Sequence, residues 1–161
     1  MKMTATITIR KGEKKDIPQV LALIKELALY EKAPQEVITS VESMERDGFG
    51  EDAIYKMFVA EEDHKILGIA VYYTKYSTWK GRCIFLDDLI VTESQRGRNI
   101  GKLLFQAVIK VSKETGANRM EWQVLDWNKP AINFYEKFNA VLDPEWINGK
   151  FTREQLDTYQ F

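Results

Sequence analysis

The chain has 161 residues, 45% of them hydrophobic, enough to bury one core, so a single domain spanning residues 1–161 is expected. Lys and Arg number 23 against 24 Asp and Glu, a net charge of -1, so no basic field exists to recruit nucleic acid and no acidic tail is present. Cys83 is the single cysteine, which excludes an intramolecular disulfide and a multi-cysteine metal site. The charged, alternating N-terminus lacks an apolar leader and no apolar run approaches bilayer length, so the expected location is the cytoplasm, away from membranes.

Ala5 to Arg10 alternates apolar with polar and predicts a first strand. Asp16 precedes Ile17-Pro18 as an N-cap followed by a first-turn proline, and Ile17, Val20, Leu21, Ile24, Leu27 and Ala28 recur at helical spacing through Tyr30. Pro34 ends that register. Thr39-Ser40 caps a short second helix through Arg46, closed by Asp47-Gly48 and Gly50. Ile54 to Glu61 and Ile66 to Lys75 read as a hairpin turning at Glu62-Asp63-His64-Lys65, with His64 solvent-exposed in the turn. Ser77 to Arg82 forms a loop. Cys83 to Val91 is a strongly apolar strand broken by the pair Asp87-Asp88, and Cys83 reads as a small core residue.

After polar Thr92, Glu93 and Ser94 comes Gln95-Arg96-Gly97-Arg98-Asn99-Ile100-Gly101-Lys102, which opens a third helix carried by Ile100, Leu103, Leu104, Ala107, Val108 and Val111 and stopped at Thr115-Gly116. Arg119 to Leu125 is a further strand. Asn128 as N-cap with Pro130 in the first turn opens a fourth helix, Ala131 to Phe138; Ala140 to Leu142 begins a last strand, and Thr152 with Gln155 makes a capping box for a short terminal helix. The order is that of a mixed α/β domain.

The strand, loop and helix from Phe85 to Leu104 set glycines and cations before a helix start, where free N–H groups and partial positive charge favour an anion such as a phosphate. A P-loop does not fit, because three residues lie between Gly97 and Gly101 where four are needed, and Leu103 follows Lys102 where Ser or Thr is needed. A dinucleotide fingerprint needs a third glycine and an earlier place in the chain. The loop resembles the acyl-CoA segment R/Q-x-x-G-x-G/A of the GCN5-related N-acetyltransferase superfamily, with Arg96 first, Gly101 last, and Asn99 where glycine is usual. Asn reaches left-handed backbone geometry more readily than other non-glycine residues, so it is tolerable there.

A second segment, Asn128-Lys129-Pro130-Ala131-Ile132-Asn133-Phe134-Tyr135 through Ala140, resembles the same superfamily's N-x-x-A/S-x-x-F/L-Y-x-x-x-G-A, with Asn139 at a glycine position. Further matches at Leu23 to Glu31, Asp47 to Gly50, Tyr76 to Arg82, Asp87-Asp88 and Trp127-Asn128 extend the resemblance over nearly the whole chain, toward the spermidine/spermine and thialysine N-acetyltransferase group. The resemblance implies a single-domain fold with a central mixed, mostly antiparallel sheet flanked by helices and splayed near its middle, acetyl-CoA as acetyl donor, no metal, and a homodimer. It implies cofactor contacts from Leu89, Ile90, Val91, Arg96, Gly97, Arg98, Asn99, Ile100, Gly101, Lys102, Asn128, Pro130 and Tyr135. An acceptor pocket is implied from Tyr30, Glu31, Ser77, Trp79, Asp87, Asp88 and Trp146.

The chemistry expected is attack of an amine on a thioester. A primary alkylamine with a pKa of about 10.4 is nearly all ammonium at neutral pH, so something must accept a proton; Asp87 or Asp88, acting directly or through water, are the candidates, a neighbouring carboxylate raising one partner's pKa. A backbone N–H near Leu89 to Val91 can polarise the thioester carbonyl, and the departing thiolate needs a proton, for which the resemblance implies the Tyr135 hydroxyl. The acceptor is expected to be a small flexible amine, lysine-like in preference to a polyamine because Ser77 stands where the polyamine enzymes carry an acid. A protein lysine or N-terminal acetyltransferase is the same-class alternative, and a CoA-binding sensor without turnover the different-class one.

Overall fold

A computed structural model describes residues 6–161. The chain divides into two compact units, Met1–Gln123 and Val124–Phe161. In the first, β1 (Thr8–Lys11) is followed by α1 (Ile17–Tyr30), α2 (Val41–Phe49), β2 (Lys56–Glu62), β3 (Lys65–Ser77), β4 (Gly81–Val91), α3 (Ile100–Glu114) and β5 (Arg119–Glu121). The sheet runs β1-β2-β3-β4-β5, antiparallel except for the parallel β4–β5 pair. This is the mixed, mostly antiparallel sheet expected.

Ile17, Val20, Leu21 and Leu23 of α1 are buried together with Met57, Val59, Ile69, Val71 and Ile90 on one face of the sheet, forming its main core. On the opposite face α3 buries Ile100, Leu104, Phe105 and Val108. Gly68 sets how closely α3 approaches. A Cβ there would lie 2.7 Å from the Ile90 carbonyl oxygen and 3.0 Å from Leu104 Cδ1, so any side chain would push the first turns of α3 off β3.

β4 pairs with β3 from Gly81 to Val91 but with β5 only from Cys83 to Phe85. Among the described residues, its β5-side edge therefore has no ladder partner from Leu86 onward. Backbone groups alternate between the two edges of a strand, so every second residue from Asp88 to Val91 presents its N–H and C=O outward.

Several sequence expectations are corrected. Asp16 does not cap α1 through its side chain; it closes a preceding single 3₁₀ turn, accepts the Glu13 N–H at 2.8 Å and takes two hydrogen bonds from Arg10 at 2.7 and 2.9 Å. Ser40 caps α2 as expected, but the helix passes through Gly48 to Phe49 instead of closing at Arg46. The Tyr55 ring covers Gly48 so closely that a Cβ would meet it at 2.5 Å, and tertiary contact overrides the local glycine signal. The hairpin turn is as expected, with Asp63 and His64 both at positive φ and the His64 side chain in solvent. β5 stops at Glu121, short of Leu125. The Ala5 end of the first predicted strand lies outside the described residues.

The second unit holds α4 (Lys129–Glu136) and α5 (Arg153–Thr158). α4 begins and ends two residues before the predicted limits. Thr152 and Gln155 make the expected reciprocal cap of α5. Ala140 to Leu142 is not a strand: Val141 is exposed and this stretch makes no ladder with any described residue. None of the described helices is long and apolar enough to cross a membrane.

Candidate active site

Adjacent residues of a strand normally point to opposite faces of the sheet. β4 breaks that rule at the acidic pair. Asp88 stands opposite Val71 and Leu86 opposite Tyr72, which leaves Asp87 as an extra residue in a β-bulge. Phe85, two residues before Asp87, meets the Tyr73 ring on the α1 side of the sheet, and Val71 opposite Asp88 belongs to the α1-side core. The bulge thus turns both carboxylates to the face on which α1 ends.

Asp87 is exposed and Asp88 half-buried. Burial, then the charges of Asp87 and Glu31, push the Asp88 carboxyl up to about 7. Protein crowded around its carboxyl also raises Asp87, although its side chain reaches solvent, and burial raises Glu31 at the C-terminus of α1. Tyr73 is raised by burial and by Asp87 and Glu121. Glu31, Asp87, Asp88 and Tyr73 are thus electrostatic neighbours.

The strand-to-helix loop is anchored from α1. Glu26 accepts the Glu93 N–H at 2.8 Å and the Thr92 hydroxyl at 3.0 Å. The Arg96 guanidinium lies 5.3 Å from the Tyr30 ring centre, and its Nε donates to the Val91 carbonyl at 3.3 Å. Arg98 is bound by the Glu62 carboxylate through both terminal nitrogens, at 2.6 and 3.0 Å, and donates to Gln95 Oε1. Two of the three cations expected to face an anion are therefore held by protein groups.

The backbone is shaped differently. Gly97 has φ 81° and Asn99 φ 61°, so the chain twice enters left-handed geometry just before α3. Asn99 supplies no side-chain cap. The first-turn N–H groups of Ile100, Gly101 and Lys102 have no intrahelical acceptor by helix geometry, and they form an open donor cluster at the positive end of a 15-residue helix.

Ser77 and Trp79 are not brought to the Asp pair within one chain. Ser77 pairs with Gly81 at the far end of the hairpin, six residues before Asp87, about 20 Å at the usual strand rise. The Ser77 hydroxyl oxygen accepts the N–H groups of Trp79 and Lys80, both at 3.2 Å, so it organises the turn. In the second unit, Asn128 caps α4 by accepting the Ala131 N–H at 3.3 Å, Pro130 sits in the first turn, and Tyr135 is buried. Asn139, at the other glycine position of the motif, has φ 57°. Trp146 is exposed, its indole N–H donating to Asp143 at 3.0 Å.

Sequence reasoning did not single out Glu26 and Glu62, which hold the loop, or Tyr73, which neighbours the acidic pair. The period-two alternation of Tyr73-Lys75 and of Phe85-Asp87 was the available signal that these side chains share a face.

The acetyltransferase (GNAT) family pattern matches residues 22–140. The chain belongs to this family. It is 38% identical over 144 residues to a thialysine N-epsilon-acetyltransferase of Bos taurus, covering 84% of this chain and 85% of the relative. It is 32% identical to a spermidine/spermine N(1)-acetyltransferase-like protein 1 of Homo sapiens, covering 92% of this chain and 23% of that longer protein. The fold of an aminoglycoside N-acetyltransferase solved with CoA superposes with a TM-score of 0.73 at 18% identity, covering 95% of this chain and 99% of that one. The GNAT protein described here is thus an acetyl-CoA-dependent N-acetyltransferase that acts on amines.

Proposed function

We propose that this acetyltransferase modifies the primary amine of a small flexible acceptor, lysine-like or thialysine-like, using residues 1–161 as one functional domain. The family match crosses the boundary between the two compact units, which supports the single-domain reading. The observation that carries the acceptor reading is the carboxylate group on the β4 bulge. Burial pushes the Asp88 carboxyl up to about 7, into the range of a proton acceptor, and Asp87 and Glu31 beside it attract an ammonium to that place.

Acetyl-CoA supplies an acetyl group activated as a thioester. The chain suits such a donor on two counts: the uncapped, left-handed entry to α3 and the open edge of β4. Backbone N–H groups of Gly97 to Lys102 hold the pyrophosphate, with Arg96, Arg98 and Lys102 as secondary help. Asn128 and Pro130, at the start of α4, hold the pantetheine arm. Asp88, with Asp87, takes the proton from the acceptor ammonium and frees the nitrogen lone pair. Outward N–H groups among Leu89, Ile90 and Val91 donate to the acyl oxygen as the new C–N bond forms. Tyr135 gives its hydroxyl proton to sulfur as the C–S bond breaks, and the second nitrogen proton, shed as the amide forms, restores the Tyr135 hydroxyl through solvent. No metal enters this scheme.

Tyr30, Glu31, Asp87 and Asp88 form one end of the acceptor pocket. Ser77 and Trp79 take part through a second copy of the chain, since about 20 Å of strand separates Ser77 from Asp87, and the enzyme works as a homodimer. The lone, buried Cys83 suits a cytoplasmic enzyme.

Free thiol release from acetyl-CoA, followed across thialysine, lysine, putrescine, spermidine and a lysine-containing peptide, tests the reading. Thialysine or lysine should give the highest kcat/KM. Tight cofactor binding without amine-dependent thiol release would identify a sensor, and preference for the peptide a protein acetyltransferase.

A further inference from the structure

Tyr73, Phe85 and Glu121 stand in register, one on each of β3, β4 and β5, on the sheet face that carries Asp87. The Tyr73 and Phe85 rings are 5.3 Å apart. Lys75, two residues along β3, reaches over this row: its Nζ lies 5.5 Å from the Phe85 ring centre and 3.4 Å from Glu121 Oε2. Arg119 Nη2 lies 3.3 Å from Glu121 Oε1, while Arg119 Nε and Glu121 Oε2 are enclosed by protein without a hydrogen-bond partner among the described residues. Two cations therefore share one carboxylate, and the trio has a surplus positive charge.

We propose that Lys75, with Arg119 beside it, binds the carboxylate of an α-amino acid acceptor and so sets the enzyme's preference for a zwitterion over a diamine. This rests on the reading above, in which Asp87 and Asp88 receive the reactive amine. Asp87 lies two residues beyond the Phe85 row, about 7 Å at strand rise. The side-chain nitrogen and the carboxyl carbon of an extended lysine are six bonds apart, roughly 7 Å. An acceptor laid along β4 places its ω-amine among Asp87, Asp88 and Glu31, its carboxylate at Lys75 and Arg119, and its α-ammonium beside Glu121. The methylenes cross the Tyr73 and Phe85 rings. A diamine of the same length puts its distal ammonium where the α-ammonium of lysine lies but brings no carboxylate to balance the net positive trio, so the like-charge repulsion there goes uncompensated. Discrimination thus comes from a repulsive element as well as an attractive one.

The test compares lysine, lysinamide and cadaverine, which share a chain length and differ at the carboxylate. Unmodified enzyme should favour lysine over both by about 10-fold or more in kcat/KM, the range of a charge-assisted contact. Lys75→Met should lower kcat/KM for lysine by about 10- to 100-fold, chiefly through KM, and raise it for cadaverine. Lys75→Glu should reverse the order of the two, and Lys75→Arg should keep it. Circular dichroism and thermal melting establish that each variant is folded, and the comparison of lysine with lysinamide needs no variant. Equal use of lysine and lysinamide, or an unchanged lysine-to-cadaverine ratio in folded Lys75→Glu, would overturn the proposal while leaving amine acetylation intact. Failure of all amines to react would remove both readings.

Discussion

The Arg98 guanidinium grips the Glu62 carboxylate through two hydrogen bonds, at 2.6 and 3.0 Å, across the mouth of the loop that opens α3. A cation neutralised in this way adds little field at a phosphate, which leaves backbone donors as the main attraction. Gly101→Val puts a β-branched side chain among those donors, and Arg98→Gln removes a charge already matched. Calorimetric titration with acetyl-CoA should show the glycine change weakening binding far more than the arginine change. Equal losses would make side-chain charge the dominant contribution.

Tyr135→Phe retains the ring and removes one hydroxyl. If that hydroxyl protonates the leaving thiolate, kcat should fall by roughly 10²-fold or more while cofactor affinity barely moves. Unchanged turnover in the Phe variant would reduce Tyr135 to packing.

The Asp88 carboxyl near 7 should appear in the pH profile. As a base, Asp88 must be ionised, so kcat/KM should rise with pH through an inflection near 7, ahead of the separate rise from the acceptor amine. Asp87 is the stronger of the two charged influences on Asp88 and Glu31 the weaker. Asp87→Asn should therefore move the inflection to lower pH by more than Glu31→Gln does. A profile that neither change displaces would exclude the carboxylate group as the source of the proton acceptor.

The same carboxyl makes a statement about stability. Its folded pKa lies above the unfolded value, so the fold favours the protonated form; that contribution is complete below the unfolded pKa and lost as pH rises through about 7. Asp88→Asn cannot ionise. Its melting temperature should exceed that of the unmodified enzyme at pH 8, the margin should shrink toward pH 5, and its turnover should be poor throughout. A variant less stable at pH 8 than at pH 5, relative to the parent, would contradict the sign.

Much of this was legible in the sequence because it depends on local chemistry. Asn99 and Asn139 stand where the motif has glycine, and both adopt left-handed geometry, at φ 61° and 57°. Asn128 and Thr152 cap the helices that their spacing announces. The acidic pair was visible as a pair, but its bulge was not, since a bulge is defined by the opposing strand and Val71 lies 17 residues before Asp88 in the chain. Distance along the strand was equally hidden at Ser77: the residue falls inside a matching segment, and within one chain its hydroxyl holds a turn far along the hairpin. The α2 terminus shows the limit from the other side, because Gly48 signals a helix end locally and Tyr55 continues the helix through contact.

The half-partnered β4 has a kinetic signature. From Asp88 to Val91, beyond the bulge, amides directed at β3 are hydrogen-bonded in the ladder, and their immediate neighbours face an edge that has no ladder partner among the described residues. Amide hydrogen exchange in the resting enzyme should therefore alternate along this one strand, slow and fast residue by residue, where an interior strand would be slow throughout. Saturation with acetyl-CoA should quench the fast members alone, and the length of the quenched run would measure how far along β4 the acyl arm lies.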